Sequence, residues 1–453
     1  MMPPGRQGQK IAVIGAGISG LSAAWLLSRA HDVTLYESAS RLGGHSHTVE
    51  APSAYGPIPV DTGFIVYNPV NYPNLVALFE HLSVPTKRSN MGFAVSLDDG
   101  RVEYGGDNLA TLFSQTRNLV SPRFWSMLLD LIRFYREAPA HADRLEADLT
   151  TLGEYLDSQR YGAAFQLDHI LPQAAAIWST SARDIRDYPA TAFIRFCQNH
   201  GLLKITGRPV WRTVDGGSRA YVARLTEAYA GKVRLGVSVK TVRRVLEGVM
   251  VADSNAAVDT FDQVVIATHA DDGLKLLEGP SATEREALGC FSYSRNLVVL
   301  HSDESLMPQR RGLWSAWNYL GATAPGGDRR LCVTYWMNRL QGLPAHSPLF
   351  VTLNPVRPPD PKKVIHSEIY EHPRFDMAAI RAQKLLWSLQ GRGGVWWCGA
   401  YFGSGFHEDG LQSGLAVSEA IGGVRRPWEV QDESSRIHLT DLNPAQRVLE
   451  AMR

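Results

Sequence analysis

The 453-residue sequence has no surplus of either charge: 46 Lys and Arg stand against 45 Asp and Glu, a formal charge of +1. Neutralising a polyanion needs a basic excess or stripe, so nucleic acid is excluded as the main partner. No long run of like charge occurs and charged residues are only 20%, which excludes charged tails and argues against extended disorder. Cysteine is scarce. Cys197, Cys290, Cys332 and Cys398 form no C-x-x-C pair, so neither a zinc ribbon nor a thioredoxin-type site is supported, no metal is expected, and buried thiols in a reducing cytosol are. His407-Glu408 lacks a His at position 411 and no G-x-S-x-G elbow exists, which removes the commonest zinc and serine hydrolases. Long apolar runs are missing with one exception, Ile11 to Leu27 behind Arg6 and Lys10. That run resembles a signal peptide or a membrane span, but it is short and interrupted by glycines at fixed spacing, so a soluble cytoplasmic chain is expected.

What is present points to an α/β protein. The length suits two or three domains at about 150 residues each, and 40 Gly with 25 Pro fit many tight connections. Lys10-Ile-Ala-Val-Ile14 reads as a buried parallel strand. Gly15-Ala16-Gly17-Ile-Ser19-Gly20 follows, then helix formers from Leu21 to Arg29, then a second strand Asp32 to Glu37. G-x-G-x-x-G between strand and helix, with an acid ending the next strand, is a dinucleotide fingerprint. Gly15 permits the turn, Gly17 lets a pyrophosphate approach the backbone, and Gly20 allows close packing of helix on strand. The helix N-terminus attracts the phosphates, and Glu37 would accept hydrogen bonds from ribose hydroxyls while repelling a 2′-phosphate.

Beyond Glu37 comes Arg41-Leu-Gly43-Gly44-His-Ser-His-Thr48, then Val60-Asp-Thr-Gly63. Here the sequence resembles the FAD-dependent amine oxidase and phytoene desaturase superfamily, whose hallmark is this fingerprint followed by R-x-G-G. Val214-Asp-Gly216-Gly217, the Val233 to Val242 segment around Val237, Ala267-Thr-His-Ala270, and the strand from Val395 to Gly399 followed by a helix from Gly410 match later superfamily elements in order. The resemblance implies FAD as cofactor, contacted by Gly15, Ala16, Gly17, Ser19, Gly20, Glu37, Arg41, Gly43, Gly44, Gly63, Val237, Gly399, Gly410 and Leu411. It implies a discontinuous Rossmann-type FAD-binding domain (residues 1–100, 205–275 and 391–425), joined to an α+β substrate domain made of a helical cap (101–204) and a sheet (276–390). Residues 426–453 are expected to be a polar tail.

The departures bear on the substrate. Gly399-Ala-Tyr401 lacks the usual carboxylate, and Leu411 stands where amine oxidases tend to carry an aromatic residue. Segments such as Leu297 to Asp303, Tyr335 to Gln341 and Phe406 to Gly410 resemble a bacterial group of predicted FAD/NAD-binding oxidoreductases often associated with fatty-acyl (cyclopropane-type) lipid modification. No second G-x-G-x-x-G unit for NAD(P)H occurs, so electrons are expected to enter from an organic substrate and leave to oxygen or a separate acceptor. The expected activity is hydride transfer from a substrate C–H to flavin N5, desaturating or oxidising an apolar, lipid-like molecule. An amine oxidase releasing imine and hydrogen peroxide, or a non-redox flavin isomerase, stays open. His407, Glu408, Tyr335 and Asn338 are the catalytic candidates. Phe124 to Tyr135 carries charge only at Asp130 and Arg133 and is expected to lie in a cap core or to touch lipid, which would make the protein membrane-peripheral.

Overall fold

The strand–turn–helix–strand unit at the N-terminus builds a parallel sheet. Lys10–Ile14 pairs with Asp32–Glu37 on one side and Gln263–Ile266 on the other, with Val233–Leu235 and Val395–Trp397 at the edges. Ile14 lies beside both Tyr36 and Ile266, so three strands end together where their loops form one rim. Ile11, Val13, Val264 and Val265 are fully buried, as strands covered on both faces require. The sheet draws on distant parts of the chain, and the expected discontinuous domain is what forms. The computed structural model describes residues 8–145, 150–178, 184–204, 207–227, 232–323, 329–431 and 433–440.

A seven-stranded sheet runs in the order Val364–Arg374, Ser292–His301, Phe350–Leu353, Arg329–Trp336, Trp317–Thr323, Phe93–Leu97, Val102–Gly105. Its last two strands correct the boundary drawn at residue 100. Phe93–Leu97 pairs in parallel with Trp317–Thr323 and forms a hairpin with Val102–Gly105, so residue 100 falls in a turn of the substrate sheet. Most of the proline loop after Gly321 lies outside the described residues.

Helices Pro122–Ala142, Leu152–Ser158, Leu171–Trp178 and Ala190–Asn199 form the cap. The first begins where the Ser121 hydroxyl accepts from Phe124 N (3.3 Å) with Pro122 behind it, a capped start with proline at its favoured position. It is two-faced rather than buried all round. Phe124, Met127, Leu128 and Phe134 point inward, whereas Trp125, Leu129 and Ile132 are exposed.

The C-terminal segment is not a free polar tail, at least over its described part to residue 440. Arg426 is 2% exposed, with Glu419 accepting from Nε and Nη2 (2.8 Å each) and Asn74 Oδ1 accepting from Nη1 (2.9 Å). Trp428 stacks on Trp25 (5.8 Å) and Arg436 donates to Asp409 (3.0 Å). An arginine can be buried when its guanidinium is satisfied on several sides, because those partners offset the cost of taking its charge out of water. Residues 441–453 lie outside the described residues.

Asp61 joins the two domains. It is fully buried at the end of the hairpin strand Ile58–Asp61, and its carboxylate accepts from Thr48 Oγ1 (2.6 Å), Ser218 N (2.9 Å), Ser218 Oγ (2.8 Å) and Gln341 Nε2 (2.8 Å). Burial raises its pKa, and these donors work against that rise. Asp61→Ala would leave buried donors from three segments unpaired. A loss of about 3 kcal/mol in unfolding free energy is expected, measured by urea denaturation against wild type.

Candidate active site

The glycine turn is shaped for a phosphate ligand. Gly15 has φ +101°, and a Cβ on Gly20 would lie 1.9 Å from Gly15 O, so helix Ile18–Leu27 starts hard against the turn. A Cβ on Gly17 would meet nothing within 4 Å, leaving open space at the helix N-terminus where backbone N–H groups attract an anion. Glu37 closes the far side, accepting from Ala16 N and Ala39 N (2.8 Å each), while Val237 N donates to Glu37 O (2.9 Å). The Arg41 loop joins this rim. Gly43 N donates to Ala16 O (2.8 Å), a Cβ on Gly44 would lie 3.0 Å from Gly17 Cα, and Arg41 Nη1 donates to Gly44 O (2.6 Å).

From Gly44 the chain passes into a cluster of rings. His45 and His47 are held by backbone bonds to the Asp61 strand end, Phe64 N to His45 O (2.8 Å) and Thr62 N to His47 O (2.9 Å). A Cβ on Gly63 would lie 2.0 Å from His45 O, so only glycine lets the two segments approach this closely. Around His45 stand Tyr370 (4.9 Å between centroids), His372 (5.4 Å) and His269 (6.4 Å). These come from the R-x-G-G loop, the loop after Gln263–Ile266, and the substrate-sheet edge strand. His407, at the start of the last helix, stacks on Phe64 (3.9 Å) and bonds to Tyr221 Oη (2.7 Å), which bonds in turn to Ser46 Oγ (2.5 Å).

Burial controls the charge here. It pushes His45 and His407 down to about 3 and His372 to about 4, with neighbouring histidines adding to the shift at His45 and His372. These imidazoles are neutral at physiological pH. Asn296 Nδ2 lies 2.8 Å from His372 Nδ1, which assigns Nδ1 as acceptor and Nε2 as the protonated nitrogen. His45 Nε2 is buried without a protein partner. An orphaned ring nitrogen beside a glycine-lined phosphate turn is what a site shaped for a polar ligand ring contains. The turn, Glu37 and this ring cluster together fit a flavin dinucleotide.

The family of flavin containing amine oxidoreductases has a sequence model that matches residues 18–285, more than half the chain. The chain belongs to that family. It is an FAD-dependent oxidoreductase. Solved structures of similar fold include a wild-type putrescine oxidase (15% identity, TM-score 0.66, covering 91% of this chain and 99% of that one). A CLA-producing fatty acid isomerase from P. acnes matches at 16% identity and TM-score 0.64 over 91% and 98% of the two chains. Cyclohexylamine oxidase from Brevibacterium oxydans matches at 16% and 0.60 over 92% and 99%.

The sequence candidates fall into different places in this family member. His407 sits in the ring cluster. Glu408 beside it points elsewhere. Its carboxylate accepts from Asn74 N (3.0 Å), Asn74 Nδ2 (2.9 Å) and Leu75 N (3.0 Å), at the start of helix Pro73–His81. Asn338 is committed to its own turn, donating to Pro344 O and Ser347 O and accepting from Leu349 N (2.7 Å each), while Tyr335 stacks on Trp317 (6.1 Å). Among the described residues, none of the hydrogen bonds or ring contacts of Tyr335 or Asn338 reaches His407 or Glu408.

The last helix begins at His407 and not at Gly410, because the Asp409 carboxylate accepts from Phe406 N (2.7 Å) and Ser404 N (3.0 Å) and stops the chain there. Gly410 therefore lies inside the helix, where a Cβ would meet Ser19 Oγ at 2.8 Å. Gly410 and Ser19 form a helix–helix contact, with Leu411 fully buried next to it. Gly399 N donates to Ser413 Oγ (3.0 Å) of the same helix.

Sequence reading missed His45, His269, His372, Tyr221 and Phe64. One signal was available. His366, Glu368, Tyr370 and His372 alternate along one strand, the period that puts them on a single face. Glu368 on that face takes hydrogen bonds from His47 (2.7 Å) and Arg41 (3.0 Å). Burial opposes its charge, but these two partners hold it well below the usual carboxylate range.

Two outcomes are expected. Glu37→Ala should purify with several-fold less flavin, read as the ratio of flavin to protein absorbance; full flavin content would remove Glu37 from ribose binding. The second concerns acid. An unfolded histidine titrates near 6.5, whereas His45, His372 and His407 titrate far lower when folded. The native state thus binds fewer protons, and stability present above pH 6.5 is lost as pH falls toward 4. Each imidazole contributes up to about 1.4 kcal/mol per pH unit. Urea midpoints at pH 7.5 and pH 5 measure the loss, and His372→Asn should reduce the difference between them.

Proposed function

We propose that this protein oxidises an uncharged, apolar, lipid-like small molecule by removing hydride from one C–H bond to the flavin and a proton from the adjacent carbon to a neutral imidazole of the site or to solvent, leaving a carbon–carbon double bond. Oxygen or a separate carrier would take the electrons in turn. The observation that carries the reading is the charge state of the site. Burial holds His45, His372 and His407 neutral, and four carboxylates of the site already have donors, although among the described residues Asp271 Oδ1 beside His269 is left without one. Glu368 is bound by Arg41 and His47, Asp61 by Thr48, Ser218 and Gln341, Glu408 by Asn74 and Leu75, and Asp409 by Arg436. A protonated amine needs a carboxylate or an aromatic cage able to take its charge. A neutral chain needs only desolvation and position.

The fatty acid isomerase of similar fold acts on a lipid chain by its name, which supports the substrate class. The putrescine and cyclohexylamine oxidases named above act on amines, so the amine reading is the one to test against.

Bound FAD supplies the hydride acceptor. The protein's own groups hold and shield the substrate. A wall of rings closes the cap side. Phe406 stacks on Phe196 (4.8 Å), Phe196 on His200 (3.9 Å), and Trp178 packs against Phe196 (4.8 Å). Such a wall excludes water and offers apolar contact. Among the described residues, His45 Nε2 and, in the ring wall, Trp178 Nε1 and His200 Nε2 lie without a protein partner and can orient a carbonyl or hydroxyl.

Anaerobic mixing of the holoprotein with fatty-acyl phospholipids and free fatty acids should bleach the flavin absorbance. Bleaching by primary amines alone would install the amine oxidase reading instead. Product formation without any bleaching at steady state would indicate isomerisation.

A further inference from the structure

Among the described residues, the outer face of the cap carries an exposed apolar stripe. On helix Pro122–Ala142, Trp125, Leu129 and Ile132 are spaced one turn apart and are 44%, 65% and 53% exposed. Leu119 and Val120, in the turn just before the helix, extend the stripe at 50% and 82%. Single exposed apolar residues are ordinary on protein surfaces, but a contiguous group on one face marks an interaction site. Trp125 is prepared for an apolar environment: its indole N–H already donates to Leu119 O (2.8 Å), so burying the ring leaves no donor unpaired.

The charges around the stripe are sorted. In the pair Arg123–Asp168 the side chains are 48% and 4% exposed; in Arg133–Asp130, 33% and 18%; in Arg136–Glu137, 73% and 35%. In all three the arginine is the outer member, and exposed Arg117 lies beside Asn118 and Leu119 at the near end. Arg117, Arg123 and Arg136 therefore expose guanidinium groups near the stripe although the whole chain is nearly neutral, whereas the Arg133 guanidinium lies over Tyr161 (4.1 Å) and donates to Arg160 O. A convex stripe of one helix with an outward-turned arginine rim has the chemistry of an interfacial helix, whose apolar side chains enter the acyl boundary while its cations meet lipid phosphates. Among the described residues no helix is long and apolar enough to cross a membrane, so contact through this face is peripheral.

We infer that the face formed by Leu119, Val120, Trp125, Leu129 and Ile132 docks on the surface of an anionic lipid bilayer. This is independent of the substrate reading. It also places that reading in space, because the inner side of the same helix packs toward the site: Phe134 lies against Phe193 (6.3 Å), Phe193 against Trp178 (5.9 Å), and Trp178 against Phe406 (6.4 Å), the residue before His407.

The test is co-sedimentation of the holoprotein with vesicles of phosphatidylcholine alone or mixed with phosphatidylglycerol. Wild type should pellet with the mixed vesicles, less with phosphatidylcholine, and less again at high salt. The double variant Leu129→Ser with Ile132→Ser should bind about tenfold more weakly or less, and Arg136→Glu should lose the preference for phosphatidylglycerol. Flavin content and the urea midpoint of each variant confirm folding, since all three positions are exposed. Wild type remaining in the supernatant with both vesicle types overturns the inference, as does undiminished pelleting of the double variant. A dimer in sizing chromatography that the same substitutions dissociate would also overturn it, by showing that a second copy covers the face. Vesicle binding without flavin bleaching by lipid would leave the docking surface standing and remove only the substrate reading.

Discussion

A buried carboxylate, Asp61, holds the site together. It gathers Thr48, Ser218 and Gln341 around two oxygen atoms, and those residues belong to the R-x-G-G loop's hairpin, the Gly216-Gly217 turn and the end of the short helix after strand Arg329–Trp336 of the substrate sheet. Burying a carboxylate is costly unless its lone pairs are filled, so the hub exists only when all three segments are in place. The backbone bonds from Thr62 and Phe64 to His47 and His45 follow directly from it. Position in the ring cluster is thus inherited from a residue that need not touch the substrate.

The same device recurs at the other end of the site. Glu408 holds the start of helix Pro73–His81, Asp409 sets the start of the last helix, and Arg436 and Arg426 bring the C-terminal segment onto both. Buried acids make the joints, while the histidines between them are kept uncharged by the same exclusion of water. The proposed uncharged substrate rests on that exclusion, since a low-dielectric site costs a charged ligand its hydration. Along helix Pro122–Ala142 the order differs, with the arginine the more exposed member of the Arg123–Asp168, Arg133–Asp130 and Arg136–Glu137 pairs beside exposed hydrocarbon.

The phosphate turn was legible because its signals are contiguous. Strand, glycines, helix and terminal acid fall within a single βαβ unit, and local backbone geometry decides their arrangement. The order of later motifs was legible for the same reason. The ring cluster was not, since His45, His269, His372 and His407 are scattered over the chain and meet only when the two sheets pack. His407-Glu408 shows the limit most sharply. Adjacent in sequence, the two residues point from one helical turn into different surroundings, one toward Phe64 and the other toward Asn74. The tail beyond residue 425 looked polar because composition counts Arg426 and Arg436 as surface residues, whereas their partners on other elements bury the first and half-bury the second.

The sequence by itself determined the cofactor and the family, because a dinucleotide turn is a local structure whose chemistry rides on its own backbone. It also determined the α/β class, through strands and helices whose apolar patterns are read within a few turns. Only the tertiary structure decided which histidines face one another, that burial keeps three of them neutral, and that the cap helix leaves one apolar face uncovered. Proximity, desolvation and exposure are relations between segments far apart in the chain, and no short stretch of residues contains them.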